Sequence, residues 1–386
     1  MALSVVNGAA RRLFAPSVYL FCQVAGSSAL RVAGSKIFKV RSLVSEPGCG
    51  HLRVSTHWAS VALLLLLCGS AGAQNTVAVE TTGDDSEIGP CTMNSVPILC
   101  NTLRDAIAQV NQDSGDTLDL RNLRGTITIA PTDALVFFRP VTILGPGGNS
   151  LTIPGEFQFG SNASISGLTF SSGGGGIVGN VPGQSITITN STFLSGSEVE
   201  TTNSTTNVTN CSFMGGRLFA QAGPVTVTNS IFSGNYATNS GGVIHLFGGN
   251  SGEPAGTISE SNNLFFNNTG GDASGFTLSS TDLTGMDPLL APLGYYGGST
   301  STALLLPGSP AFCAGSASAV PSGTSTDQRG FPINASNCAT GAIDLGSVQP
   351  NYIFVNTPSD TNDGSCGATC SLRDAISTYQ CEPFRR

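Results

Sequence analysis

The feature that most constrains this chain is a short unit that recurs through its middle and closes each time on a phenylalanine. Five segments align: Ile165-Ser-Gly-Leu-Thr-Phe170, Ile188-Thr-Asn-Ser-Thr-Phe193, Val208-Thr-Asn-Cys-Ser-Phe213, Val227-Thr-Asn-Ser-Ile-Phe232 and Glu260-Ser-Asn-Asn-Leu-Phe265. Their phenylalanines lie 23, 20, 19 and 33 residues apart, close to one coil of a parallel β-helix if the last interval carries an insertion. Within a unit, Ile186-Thr-Ile188 and Val225-Thr-Val227 alternate apolar with polar residues, as a strand does when one face is buried and the other wet. The third aligned position is Gly167, Asn190, Asn210, Asn229 or Asn262, residue types that tolerate left-handed backbone angles and so can turn the chain. Stacked coils place Asn190, Asn210, Asn229 and Asn262 in a turn ladder whose amides are expected to bond to one another, with the phenylalanines stacked inside.

Composition agrees with many short strands and turns: Gly is 49 of 386 residues and only 10% are charged. The fold expected is all-β, a right-handed parallel β-helix solenoid over residues 123–280. Thr126–Ile129, Val141–Leu144 and Leu151–Ile153 read as its earlier strands. Ahead of it, Leu103-Arg-Asp-Ala-Ile-Ala-Gln-Val-Asn111 reads as a short N-terminal capping helix, closing an end that would otherwise expose apolar interior and unpaired strand edges. From about Thr281 the pattern becomes turn-dense and unperiodic, which marks a module over 281–349.

Residues 1–53 form an N-terminal extension that a start site assigned too far upstream would explain, and residues 54–73 read as a signal peptide. The run Ser60-Val-Ala-Leu-Leu-Leu-Leu-Leu-Cys68 is too short to span a bilayer and leads into Ala71-Gly-Ala73, so cleavage is expected between Ala73 and Gln74. Lipidation at Cys68 is disfavoured, because the leucines before it are not the small residues that a lipoprotein signal carries. Secretion or display at the cell surface, with outer-membrane association open, follows, with no stable membrane span after cleavage.

From Gln74 onward, 9 arginines and no lysine face 23 acidic residues. That net charge repels phosphate backbones and argues against nucleic acid as a partner. Export makes disulfides reasonable, and close spacing suggests Cys91 with Cys100, Cys313 with Cys338 and Cys366 with Cys370, leaving Cys211 and Cys381 aside. No Cys-x-x-Cys spacing occurs and His245 is the one histidine after the signal, so neither a metal nor another cofactor is expected.

Two signatures resemble known modules. Cys370-Ser-Leu-Arg-Asp-Ala-Ile376, with Cys366 before it, resembles the CSLREA domain that opens many secreted bacterial β-helix proteins, and Cys100-Asn-Thr-Leu-Arg-Asp-Ala-Ile107 is a looser second copy. Residues 74–122 and 350–386 are assigned to these two segments, the second apparently truncated, since the resemblance implies a further β-helix after it. Residues 287–349 resemble the choice-of-anchor Q domain through Asp287-Pro-Leu289, Gly297-Gly-Ser-Thr300, Pro307-Gly-Ser-Pro-Ala311, Asp327-Gln-Arg-Gly330 and Ile343-Asp-Leu-Gly346. They depart from it at Phe312-Cys313 and at Gln349, where an acid is common. A weaker likeness to polymorphic outer membrane protein repeats rests on Phe232-Ser-Gly-Asn235, Gly241-Gly-Val-Ile244 and Phe265-Phe-Asn-Asn268, and would imply an adhesin.

The pectin lyase-like fold also carries polysaccharide lyases and glycoside hydrolases, so fold permits catalysis without establishing it. Between Arg139 and Glu253 the charged residues are Glu156, Glu198, Glu200 and Arg217, the weak catalytic candidates of this alternative. The bland reading of Glu198 and Glu200 is a solvated pair in a Ser/Thr-rich loop, and of His245 a surface residue at a strand end. Asp327 with Arg329, Asp105 with Arg104, and Asp374 with Arg373 read as local ion pairs that hold turns. Asn190, Asn203, Asn207, Asn210, Asn267 and Asn334 each open an Asn-x-Ser/Thr triplet, which the turn ladder explains better than glycosylation where the positions align. The function expected is a non-catalytic scaffold that binds extracellular glycans or cell-surface components.

Overall fold

A computed structural model describes residues 74–83, 88–113, 115–129, 135–146, 151–171, 176–237, 241–247, 256–296, 301–333, 338, 341–349, 355, 357–362 and 370–380. The cleavage point at Ala73, Cys366, Cys381, Asn334 and the Gly297–Thr300 motif lie outside the described residues. Three parallel sheets of nine, eight and seven strands share the chain, and from Asp116–Asp119 to Ala273–Ser274 successive strands visit first, second and third sheet in turn. One coil runs through Ser185–Thr189, Thr192–Leu194 and Glu198–Thr201, the next through Thr205–Thr209, Ser212–Met214 and Arg217–Ala220. This is an all-parallel β-helix of about eight coils.

Alternation within each strand becomes a column inside the stack. In the first sheet Leu118, Ile143, Ile165, Ile188, Val208 and Val227 lie in register, one per coil, and all are fully buried. In the second sheet Phe170, Phe193, Phe213, Phe232 and Phe265 do the same, with near-parallel rings whose centroids are 5.3, 4.6, 4.4 and 5.1 Å apart. Those distances follow from the spacing of neighbouring strands, about 4.8 Å, so equal side chains in equal positions must stack. The 33-residue interval before Phe265 contains two longer connections, residues 234–243 and 247–256, on either side of the strand Ile244–Leu246.

Between first and second sheet the chain bends at Gly167, Asn190, Asn210, Asn229 and Asn262, with φ of 73, 47, 52, 52 and 55°. Their main-chain N–H groups pass from coil to coil: Gly167 donates to the Asn190 carbonyl, Asn190 to Thr209 and Asn210 to Thr228. The side chains do not bond to one another as expected. Instead Asn190 Nδ2 donates to the Thr326 carbonyl at 2.6 Å, Asn229 Nδ2 to Ser316 at 2.8 Å and Asn262 Nδ2 to Ala314 at 3.1 Å. The reason is direction: in a left-handed turn the main chain already satisfies the ladder, and the amide projects from it toward whatever covers the turn. Asn210 differs, its buried amide having no hydrogen-bond partner among the described residues.

What covers the turn is the segment 301–349. Gln328 donates to the Leu168 carbonyl and Thr169 Oγ1 and accepts from Thr192 Oγ1 at 2.6 Å, all of them buried. Ser347 N donates to Ser212 Oγ at 3.0 Å, and Leu305, Ala311 and Leu345 pack with Ile231 and Leu264. The segment is thus bound to five successive coils by side-chain and main-chain hydrogen bonds rather than by strand pairing. Disulfides join Cys91 to Cys100 and Cys313 to Cys338, while Cys211 is a buried free thiol. Cys370 is also disulfide-bonded. No helix among the described residues is long and apolar enough to cross a membrane.

Two α-helices are described. α1 spans Leu103–Val110 and buries Leu103, Ala106, Ile107 and Val110 in the main core, against strands that include Thr76–Val79 and Asp116–Asp119. α2 spans Leu372–Gln380. Asp105 proves to be a capping residue: it accepts from the Thr102 N–H at 3.0 Å while Asp105 N–H donates to Thr102 Oγ1, and its other oxygen accepts from Gly89. Asp374 holds the same place beside Ser371, and Arg373 bonds to Asp360 instead. The ion pairs expected within Arg104-Asp105 and Arg373-Asp374 give way because adjacent side chains on a helix point apart, whereas residues three apart meet.

Candidate functional site

The outer face of the third sheet gathers the charged candidates that the sequence scatters over some sixty positions. Glu156 and Glu198 both pair with Gly176, one from each side, and Glu198 pairs with Arg217. One step along the strands, Gln158, Val178, Glu200, Phe219, His245 and Ser274 form a second lateral row. Because side chains alternate across a strand, all of these point away from the core, whose neighbouring positions are Phe157, Ile177, Val199, Leu218 and Ile244. Glu198 and Glu200 therefore belong to a strand, Glu198–Thr201, and not to a loop. With two strand spacings between them, the Glu156 and Glu198 backbones are about 9.5 Å apart.

Gly176 shapes the gap between those two carboxylates, since a Cβ there would run into the Glu198 carbonyl oxygen. Arg217 holds Glu198 through two contacts, Nε to Oε1 at 2.9 Å and Nη2 to Oε2 at 3.1 Å. Gln158 Nε2 donates to Glu156 Oε1 at 2.6 Å. Partial burial, then the like charges of Glu198 and Glu156, push the Glu200 carboxyl above its ordinary range, with Arg217 opposing.

Beside the carboxylates lies an aromatic group that sequence reading missed. Phe219 stacks on His245 with centroids 5.0 Å apart, and Phe247 lies 5.6 Å from Phe219 and 5.7 Å from His245. His245 lies on the outer face as expected, half-buried, but it is the middle residue of the strand Ile244–Leu246 and not its end. A signal was available in the alternation of Arg217-Leu-Phe-Ala220, where an outward phenylalanine breaks the apolar-in, polar-out rule.

The other candidates are structural. Asp327 and Arg329 form a buried pair at 2.7 Å, and Arg329 also donates to the Tyr296 and Gln349 carbonyls. Burial raises the Asp327 carboxyl above its usual value against the pull of that guanidinium. Gln349 donates its N–H to Asp327 and bonds twice to the Asp344 main chain, which gives the carboxamide a task an acid could not perform as donor. Cys313, Cys338 and Asp344 converge within 4.8 Å, but both sulfurs are spent in their mutual disulfide and are not thiolate ligands. Asn190 and Asn210, at 4% and 0% exposure, are closed to a glycan in the folded state. No family model and no curated protein matches the chain.

Proposed function

We propose that the chain is a non-catalytic, secreted or cell-surface β-helix scaffold that binds glycans along the outer face of its third sheet. The observation that carries this reading is the joint row of Glu200, Phe219 and His245, flanked by Glu198 and Phe247. Aromatic faces accept the apolar faces of pyranose rings, and carboxylates and the Gln158 amide accept or donate to sugar hydroxyls. Acidic side chains outnumber basic ones on this face, which favours neutral over polyanionic polymers. We read the coils as right-handed, α1 as the cap of the N-terminal end, and the chain as exported by its leucine-rich segment. The disulfides Cys91–Cys100 and Cys313–Cys338 fit an oxidising compartment.

The second reading is a polysaccharide lyase or glycoside hydrolase. It is favoured by the placement of Glu156, Glu198, Glu200 and Arg217 on one face and by the raised pKa of Glu200, which suits a proton donor. A panel of neutral, acidic and amino-substituted polysaccharides separates the two readings when retention and product release are measured together. Retention without products, lost in Phe219→Ala, supports the scaffold. Product release abolished by Glu200→Gln or Arg217→Ala overturns it in favour of the enzyme, and neither retention nor release overturns both.

A further inference from the structure

The two helices share five consecutive residues, Leu103-Arg-Asp-Ala-Ile107 and Leu372-Arg-Asp-Ala-Ile376, and the same N-terminal capping by a hydroxyl and an aspartate. Their surroundings differ sharply. Leu103 and Ile107 are 2% and 6% exposed, sealed by the first strands of the β-helix, whereas Leu372 and Ile376 are 66% and 50% exposed. A capped amphipathic helix with its leucine and isoleucine in water lacks the packing that gives such short helices most of their stability. The molecule itself shows what covers that face: α1, with the same five residues, lies against the apolar start of a parallel β-helix.

We propose that the exposed face of α2 is a docking surface for a second copy of this chain, seating on the first coil of that copy's β-helix in place of the copy's own α1. Every copy carries the seat, and α2 shares with α1 the five residues and the N-terminal cap that fit it. Two features keep the exchange weak. The resident α1 is tethered to its seat at an effective concentration of the order of millimolar, and it is anchored further by the Cys91–Cys100 disulfide and the Gly89 bond to Asp105. Position 110, a fully buried valine, corresponds to Tyr379, so the incoming helix requires adjustment at its last turn.

The test mixes two differently labelled preparations of the full chain and follows energy transfer and sedimentation from about 1 to about 500 µM. Association that rises with concentration is expected, and Leu372→Asp with Ile376→Asp, placed at exposed positions, should abolish it without unfolding the chain. Loosening the resident helix should strengthen association at least tenfold, either by Ile107→Ala or by Thr102→Ala, which removes the cap without opening the core. Chains that stay monomeric throughout overturn the proposal. So does association that survives the two aspartates, or that ignores both loosening variants, as direct pairing of two α2 faces would.

Discussion

Two rows of aromatic rings run along this β-helix, one inside and one outside. The inner row, Phe170 to Phe265, repeats once per coil, is fully buried and keeps its rings within 10° of parallel. The outer group of Phe219, His245 and Phe247 occurs in two coils only, is partly exposed and holds its rings at 28, 38 and 63°. Inside, every coil meets an apolar neighbour above and below, so packing demands an apolar residue each time, and from Phe170 to Phe265 in the second sheet a phenylalanine. Outside, no neighbour makes that demand, and a departure from polar residues needs another cause. The contrast separates what holds the solenoid from what the solenoid presents.

That distinction can be broken at several points. Phe213→Ala should cost about 3–5 kcal/mol in denaturant unfolding, because it opens a cavity between two stacked rings in a closed core. A much smaller loss would mean that the inner column does not bear on stability. Gln328→Ala deletes three buried hydrogen bonds, to Thr192 Oγ1, Thr169 Oγ1 and the Leu168 carbonyl, and should cost about 1–3 kcal/mol. An unchanged unfolding midpoint would show that the 301–349 segment is not held to the coils by these bonds.

Glu260 tests the end of the inner pattern, since it stands in register with Val227 where the apolar column of the first sheet stops. Burial first, then the neighbouring Asp282 carboxyl, push it from 4.5 to about 7. The folded state therefore holds this proton more tightly than the unfolded chain. Stability contributed by the protonated form is complete below about pH 4.5, declines as pH rises, and is gone above about 7. Glu260→Gln should flatten that decline in a series of unfolding curves and leave the variant more stable than its parent at pH 8. Phe219→Ala should have the smallest effect on stability, within about 1 kcal/mol, while removing retention on glycans. A large loss of stability there would reassign the outer rings to structure.

The turn asparagines mark the boundary of what could be read in advance. A left-handed φ at Asn190, Asn210, Asn229 and Asn262 was legible, because the choice of Asn or Gly at one aligned position reports a local backbone demand. The destination of their amides was not, since Thr326, Ser316 and Ala314 lie 52 to 136 residues away and carry no recurring mark. The disulfides Cys91–Cys100 and Cys313–Cys338 were suggested by short spacing, which brings their ends together at little entropic cost.

By itself, then, the sequence determined the coil, its period, its inner phenylalanine column and its turns, because each is a local rule repeated under the same constraint. Only the tertiary structure decided that Glu156, Glu198, Glu200 and Arg217 share a face with Phe219 and His245, and that 301–349 closes the turn. Lateral register between coils sets neighbours about twenty residues apart side by side, and outward positions answer to a ligand or to solvent instead of to the next coil, so no periodicity announces them.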